Sequence, residues 1–407
     1  MFTFSIHFFL TILILTSLMT RLLLSILYIV LPAVMQAGTP WLKTPLTYVD
    51  PDSVLTWSYT GQDFRSIVLS RDSSVLTPRF KVNEDIIRRR EALQAMCSDI
   101  TSHLNIVGGG DDERTAYQGL PAMMNMSAHA YLFLLTGKSS HADLIERSLF
   151  NAVLQTAGRS SLPFKQRDRH ASFESLMAVN GLMYATARED LYVNLYSNST
   201  SRISLGSTSF TFDQITDMPA DGTVKMRISR LDHPVHFRLH LRMPDWLTGQ
   251  MPQGFPFAYS HPSTKLPAVF VSGHELEDVK TDESGYVVID RTWQSLDEVY
   301  FVFPLKPTVV RRVSASTSKA ERGQVALQIG PLIMASDQSA HDYYFSTTSP
   351  MEASMGASRS GLPTLHFQLY KDTGTPADAQ AEATPFSATP FCEQTENVGD
   401  VWLKECK

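Results

Sequence analysis

The first half of the chain has hydrophobic residues at helical spacing. Residues 79–97 predict one helix, with Asn83 as its N-cap and two acidic residues in the first turn. Residues 121–136 predict a helix that is apolar on nearly every face, which is typical of a helix buried between others. Gly137 should end it, and a helix capped by Ser140 follows, so the two form a helical hairpin. A third helix is predicted at about 172–185.

At Leu191 the hydrophobic period changes from 3.6 to 2. Nine short alternating segments follow over about 140 residues, and they predict an antiparallel β-sandwich. The alternation fades after Ala335, and residues 371–390 have the composition of a disordered linker. We therefore expect an N-terminal targeting segment, a linker, a helical domain, a sandwich domain and an irregular, partly disordered tail, bounded as 1–38, 39–78, 79–186, 187–335 and 336–407.

The apolar N-terminus predicts entry into the secretory pathway. Residues 2–34 are apolar apart from a few polar positions and are long enough to span a bilayer. They lack a basic start and a good cleavage site, so a cleaved signal peptide and a membrane anchor both stay open, and the protein would be secreted or membrane-anchored. A start at Met19 or Met35 is the alternative. The glycosylation motifs at Asn125 and Asn198 fit secretion.

Charge and cysteine content limit the classes of partner. The net charge is −6 and no basic block is present, so nucleic acid is not expected as a partner. The three cysteines, Cys97, Cys392 and Cys406, do not form a disulfide framework, although the last two could pair in an oxidising compartment. None lies in a Cys-x-x-Cys motif, which argues against a structural zinc.

Carboxylates are the first candidates for chemistry, because glycoside cleavage uses pairs of them. Glu113 ends an acidic run after three glycines, where partial burial could raise its pKa toward that of an acid catalyst, or where the run could be a solvated loop. Glu174 should simply favour the start of a helix. Four basic residues share one face of a predicted strand and form either an anionic-sugar site or the solvated face of that strand: His236, Arg238, His240 and Arg242.

Five longer strings, in order along the chain, resemble glycoside hydrolase family 127, the β-L-arabinofuranosidase family. They are AYLFLLTGKSSHADLIERSLFNAVL (130–154), LYVNLY (191–196), TDMPADGTVKMRIS (216–229), FRLHLRMPDW (237–246) and RRVSASTSKAERGQVALQIGPL (311–332). The resemblance covers roughly 79–335. It implies a multidomain α-then-β fold, with an incomplete six-hairpin (α/α) barrel followed by an antiparallel β-sandwich.

The family also implies a chemistry. The resemblance implies a cysteine nucleophile, a zinc ion held by a glutamate and further cysteines, and a second glutamate as general acid/base. Aligned from the LLTG end, the zinc-binding glutamate and cysteine fall on Gln118 and Leu120, and the nucleophile's element falls on RDRHA at 167–171. No cofactor is therefore expected, because the zinc ligands are not found. Glu113 could match the acid, with Tyr117 and Gln118 contacting the sugar at the active-site wall.

Three hypotheses follow. The protein could be a divergent hydrolase that uses Glu113 with another carboxylate. It could be a non-catalytic, secreted glycan-binding or interaction protein that depends on residues 187–335. It could also be a shortened gene model of a true family member, because several barrel hairpins have no counterpart in the sequence. Carbohydrate is the expected partner in each case, with a membrane contact through the N-terminal segment.

Overall fold

A computed structural model describes nine stretches of the chain. They are residues 40–58, 77–110, 118–158, 166–260, 265–313, 323–358, 360–371, 383–394 and 399–406. The predicted targeting segment 1–38 lies outside them. Among the helices of these stretches, none has both the length and the apolar character needed to cross a membrane.

The helices of the first half lie close to where the sequence predicts them. In chain order they are α1 (Glu84–Arg88), α2 (Arg90–His103), α3 (Gly119–Thr136), α4 (Ser139–Arg147), α5 (Leu154–Gly158) and α6 (Gln166–Ala178). Short 3₁₀ turns occur at Pro51–Ser53, Val179–Gly181 and Phe391–Glu393, a π-helical turn follows α4 at Ser148–Val153, and α7 (Asp245–Thr248) lies among the strands.

The predicted helix ends hold in two places and fail in two. The Asn83 side chain accepts a hydrogen bond from the Ile86 N–H at 2.9 Å, as an N-cap should. Gly137 ends α3 in the left-handed conformation, with φ of 69°. The prediction of Ser140 as a cap is wrong: α4 begins at Ser139, whose N–H is bonded to the Ser284 carbonyl instead. The third helix spans Gln166–Ala178 rather than about 172–185, because the chain turns after Ala178 and enters strand β3 (Tyr184–Ala187).

The first sheet has five strands. Its order is β1 (Thr47–Tyr48), β3 (Tyr184–Ala187), β4 (Asp190–Val193), β8 (Val235–Arg242) and β12 (Tyr286–Trp293). Strands β4 and β8 run parallel, and the other pairs are antiparallel. The predicted purely antiparallel sandwich is wrong at this pair.

The second sheet has seven antiparallel strands and packs against the first. Its order is β11 (His274–Glu275), β10 (Val269–Val271), β13 (Glu298–Val302), β7 (Thr223–Ser229), β6 (Thr208–Thr216), β5 (Asn198–Leu205) and β2 (Val54–Ser58). Phe237 of the first sheet lies between Phe210 of the second sheet and Trp293, with ring centroids 5.4 and 5.3 Å apart. These large buried rings join the two sheets into a sandwich.

The third sheet contains nine strands. Its order is β16 (Leu332–Ser336), β20 (Ala383–Pro390), β19 (Thr364–Lys371), β17 (Tyr343–Phe345), β21 (Leu403–Glu405), β15 (Gln324–Ile329), β14 (Pro307–Arg312) and β9 (Phe257–Tyr259), with β18 (Glu352–Ser354) paired to β19. Helix α3 covers the other face of the first sheet, where Phe133 contacts Tyr48 and Tyr192.

The structure corrects two predicted segments. The predicted linker 39–78 supplies β1 to the first sheet and β2 to the second. The predicted irregular tail 336–407 supplies β17 to β21, which pair with strands of the predicted sandwich domain. In β20 the prolines hide the alternation that buries Phe386, Ala388 and Pro390 on one face.

Candidate functional site

A buried amide holds the loop that precedes α3. The Gln118 side-chain oxygen Oε1 accepts hydrogen bonds from Asn105 Nδ2 at 2.9 Å and from the Gly110 N–H at 3.0 Å. The Asn105 oxygen Oδ1 in turn accepts from the backbone N–H groups of Val107 and Gly109. Gln118 is fully buried and Asn105 nearly so. The pair therefore fixes the Gly-rich loop from inside.

The glycines of this loop are required by close packing. Gly108 has φ of 73°, and a Cβ on it would lie 2.8 Å from the Ser148 backbone nitrogen. A Cβ on Gly109 would lie 2.0 Å from Gln118 Oε1. The Ser148 hydroxyl at the start of the π-helical turn donates to the Gly108 carbonyl at 2.7 Å. The loop is thus packed tightly onto the helices.

Two of the three predicted site residues, Glu113 and Tyr117, lie outside the described residues. The third, Gln118, helps to hold the Gly-rich loop of residues 105–110, here called the lip, and its contact with sugar stays a prediction. The implied zinc does not fit the residues present. The one oxygen that Gln118 offers already accepts two hydrogen bonds, and Leu120 has no donor atom for a metal. Within the described stretches, no group of three or more His, Cys, Asp or Glu side chains could hold a metal ion.

The cysteines are poorly placed for nucleophilic chemistry. Cys97 is 1% exposed on α2, and burial raises the pKa of its thiol. Burial also raises the pKa of Cys392. None of the three cysteines forms a disulfide, so the pairing of Cys392 with Cys406 left open by the sequence is not present. A buried thiol of raised pKa is a poor source of thiolate.

The basic row on β8 runs from solvent into the helical layer. Its two outer members meet carboxylates at the surface: His236 pairs with Asp290 at 2.9 Å, and Arg238 pairs with Asp190 at 2.6 Å. The third, His240, also binds Asp190, at 2.8 Å, and stacks on the Tyr192 ring. Burial would raise the pKa of Asp190, but the bonds from His240 and Arg238 hold it at about 2. These side chains already have carboxylate partners, so neither sequence interpretation describes the whole row.

The innermost member, Arg242, belongs to a buried ion network between β8 and α4. Its guanidinium binds the Asp143 and Glu146 carboxylates, and all three side chains are buried. Burial would lower the pKa of Arg242, but the two carboxylates raise it above its usual value. Burial raises the pKa of Asp143. The neighbouring Arg147 of α4 pairs with Asp245 at 3.1 Å. The network joins the helices to the sheets.

A second buried polar group lies between α2, α3 and α4. His129 Nδ1 and His141 Nδ1 are 2.9 Å apart, and His129 Nε2 lies 3.0 Å from the Thr101 hydroxyl. That hydroxyl donates to the Cys97 carbonyl, so His129 Nε2 must donate to it. Burial lowers the pKa of His129 to about 4 and that of His141 well below its usual value. Both rings are therefore neutral at neutral pH.

The prediction that Glu174 lies at the start of a helix is wrong, because α6 begins at Gln166, eight residues earlier. Glu174 lies on α6 and pairs with His170, one turn earlier, at 3.3 Å.

An open cavity, here called the seam pocket, lies where the first and second sheets meet residues 47–53. Its volume is about 340 Å³. It is lined by residues 47–51 and 53, residues 79–81, Gly181, Thr186, Arg202 and Ser204. Thr47 and Thr186 are register partners on β1 and β3. Arg202 and Ser204 lie on β5 beyond the last residue that pairs with β2. The pocket thus has hydroxyl, aromatic and cationic walls.

Arg79 fixes one wall of the seam pocket. Its guanidinium binds both oxygens of Asp50, at 2.9 and 2.7 Å, and one oxygen of Asp52. The Asp52 N–H, together with Arg79, holds the pKa of Asp50 below its usual value. Gly181 makes room for the same turn, since a Cβ there would lie 3.0 Å from the Pro51 ring. The wall is therefore set before any ligand arrives.

Comparison with known proteins agrees with the architecture. Residues 190–305, which run from β4 through β13, match the family model described as "Beta-L-arabinofuranosidase, GH127 middle domain". The resemblance to glycoside hydrolase family 127 is confirmed. No curated protein shows significant similarity to the GH127-like chain.

Solved structures share the fold. The GH127 β-arabinofuranosidase BT3674 matches with a TM-score of 0.67 at 20% identity, over 78% of this chain and 56% of that one. A GH127 β-L-arabinofuranosidase from Geobacillus stearothermophilus matches with a TM-score of 0.63 at 20% identity, over 78% and 57%. A protein described as a glycoside hydrolase matches with a TM-score of 0.55 at 16% identity, over 71% of this chain and 52% of that one. The GH127-like chain thus spans little more than half of each of these proteins.

The seam pocket was missed by sequence analysis. Its walls include residues 47–53, which the sequence places in a linker, and single residues from β3 and β5 that are far apart in the chain. The available signal was local: Tyr48 and Val49 interrupt a polar segment and are buried. The pairing of β1 with β3 could not be inferred from that alone.

Proposed function

We propose that this GH127-like protein recognises carbohydrate, of the β-L-arabinofuranoside type that its family implies, without the zinc-thiolate hydrolysis of that family. Helices α1 to α6 would correspond to part of the six-hairpin barrel, with the α3–α4 hairpin at its wall. The family match over residues 190–305 supports a carbohydrate ligand.

One observation carries the non-catalytic part of the proposal. At the position where the family has its zinc-binding glutamate, Gln118 is fully buried and its side-chain oxygen is shared by Asn105 and Gly110. A carbonyl oxygen that accepts two hydrogen bonds has no lone pair left for a metal. The side chain at the family's zinc-binding position is therefore used to hold the Gly-rich loop.

The cysteines support the same proposal. A thiol attacks an anomeric carbon only as thiolate, and the pKa values of the buried Cys97 and the half-buried Cys392 are both raised. Hydrolysis by Glu113 with a second carboxylate is the competing function. Turnover should therefore be measured alongside binding.

The test uses the full chain. Titration calorimetry with methyl β-L-arabinofuranoside and with a β-L-arabinofuranosyl disaccharide should give saturable binding. In parallel, p-nitrophenyl β-L-arabinofuranoside with and without added zinc should release nitrophenol no faster than buffer. Turnover that Glu113→Gln abolishes, and that the exposed-site control Glu91→Gln retains, would establish the hydrolase instead. A chain that neither binds nor turns over any furanoside would refute recognition of β-L-arabinofuranosides.

We propose that this role belongs to the secretory pathway, because the N-terminal segment is apolar. The two glycosylation motifs differ in the fold. Asn125 is fully buried, and its Nδ2 donates to Ser148 Oγ at 2.8 Å, so a glycan there would not fit. Asn198 on β5 is only half-buried. Expression in a eukaryotic secretory host should give a glycosidase-sensitive mass shift that Asn198→Gln removes. A chain retained in the cytosol would contradict the proposal.

A further inference from the structure

We propose that the seam pocket binds an acidic saccharide and holds the carboxylate of a uronic acid residue between Lys81 and Arg202. This rests on the proposed function, since it adds an acidic residue to the recognised glycan and names the place where that residue binds. The pocket lies at the junction of the two sheets, away from the Gln118 lip that the family resemblance singles out.

The charges of the pocket leave a net positive charge for a ligand. Of its three basic residues, Arg79 binds both Asp50 and Asp52, and the positive charge of Lys81 helps to lower the pKa of Asp50. Lys81 and Arg202 are exposed, and neither forms an ion pair within the described stretches. Three positive and two negative charges therefore lie at this part of the pocket, and one positive charge is left for an anion. An anion entering the pocket would meet donors that need not first release another partner.

The remaining walls suit a sugar ring rather than a bare ion. Thr47 and Thr186 carry hydroxyls on neighbouring strands, and neither side chain has a hydrogen bond within the described part of the protein. Phe80 is half-buried and packs edge-on against Tyr48 and Tyr131, with centroids 6.3 and 5.4 Å apart. An apolar ring beside free hydroxyls is the combination that small polar ligands with one apolar face require.

The size and rigidity of the pocket also fit. A volume of about 340 Å³ lies at the lower end of the range for small-molecule sites, which begins at ~300 Å³. The Arg79 clamp and the packing of Gly181 on Pro51 hold the 50–53 turn in place. A wall fixed in advance lowers the ordering cost of binding. Arg202 brings a planar guanidinium that can meet both oxygens of a carboxylate, whereas Lys81 acts as a point charge.

The experiment measures three ligands on the full chain by calorimetry: a galacturonic acid disaccharide, a neutral arabinose disaccharide and inorganic phosphate. The acidic disaccharide should bind at least tenfold more tightly than the other two, and its affinity should fall as salt is raised. Arg202→Gln and Lys81→Gln should each weaken the acidic disaccharide at least tenfold and leave the neutral one unchanged. Arg227→Gln, on strand β7 of the same sheet and outside the pocket, is the control and should change neither.

The outcomes separate this proposal from the proposed function. Equal binding of acidic and neutral disaccharides that both variants retain would overturn the acidic-saccharide pocket and leave carbohydrate recognition standing. Phosphate that binds as tightly as the acidic disaccharide, with loss in both variants, would mean a simple anion site and would also overturn it. Absence of binding by any saccharide would refute both. Because Lys81 and Arg202 are exposed, unchanged thermal unfolding of the variants should show that folding is intact.

Discussion

Replacing Gln118 with alanine tests whether the lip is held by its buried amide. The change removes the acceptor for Asn105 Nδ2, which is buried, and for the Gly110 N–H, which is half-buried. Leaving a buried donor without an acceptor costs about 1–3 kcal/mol, with the partly exposed one toward the low end. The lost side chain also leaves a small cavity beside Gly109. We expect the free energy of unfolding to fall by about 2–5 kcal/mol.

The matched variant is Gln118→Glu, which keeps an oxygen where the amide oxygen lies. Both hydrogen bonds can then be made, so the loss should be clearly smaller than for alanine. Because the ionised form would be buried, that loss should grow as pH rises. Urea unfolding followed by tryptophan fluorescence, with the slope compared among wild type and both variants, gives the free energies.

The reasoning would be refuted if Gln118→Ala stayed within about 0.5 kcal/mol of wild type, which is the range of ordinary surface changes. In that case the amide does not hold the loop, and Gln118 returns to the role that the family resemblance implies, in contact with sugar. Loss of stability with unchanged binding of the furanoside would support the structural role.

Three further changes test other parts of the structure. The pKa values of His129 and His141 are lowered in the folded protein, so the unfolded chain takes up protons first as the pH falls. The free energy of unfolding should therefore fall from about pH 6.5 toward pH 4, by about 1.4 kcal/mol per pH unit for His129 alone. Urea unfolding of His129→Gln should show a shallower pH dependence, and a slope equal to that of wild type would contradict this. Arg242→Met leaves two buried carboxylates without a countercharge and should lower the free energy of unfolding by about 3–5 kcal/mol in the same assay. Arg238, whose side chain is 47% exposed, is the comparison, and Arg238→Ala should lower it by less than about 1 kcal/mol. Equal losses would argue against the buried network. Cys97 should react with a thiol reagent only at the rate of unfolding, and rapid labelling of the native chain at this residue would show that it is accessible.

The regular helices and strands were predictable because each carries its own signal. The apolar run of α3, its end at Gly137 and the alternation of β5 to β8 are all local patterns. The two-residue β1 and the five-residue β2 are too short to show a period, and their pairing partners lie more than a hundred residues away. The proline-rich β20 has the composition of a linker and becomes a strand because β16 and β19 flank it.

The site was less predictable than the fold. Alternation on β8 correctly placed four basic residues on one face, but it could not show that α4 covers only one end of the strand. That cover turns Arg242 into a buried group while His236 stays exposed at the other end. The seam pocket depends on three distant segments meeting, which no local pattern reveals.

The way the sheets are assembled limits how this protein can be divided. A recombinant fragment bounded by residues 190 and 305 would start inside the β3–β4 hairpin and would lack β1, β2 and β3. Strands β4 and β5 would then each present a bare row of backbone donors and acceptors. Such edges recruit strands from other copies of the same fragment, so we expect it to aggregate. A fragment that starts at residue 40 and keeps the helices would carry those strands and avoid both open edges.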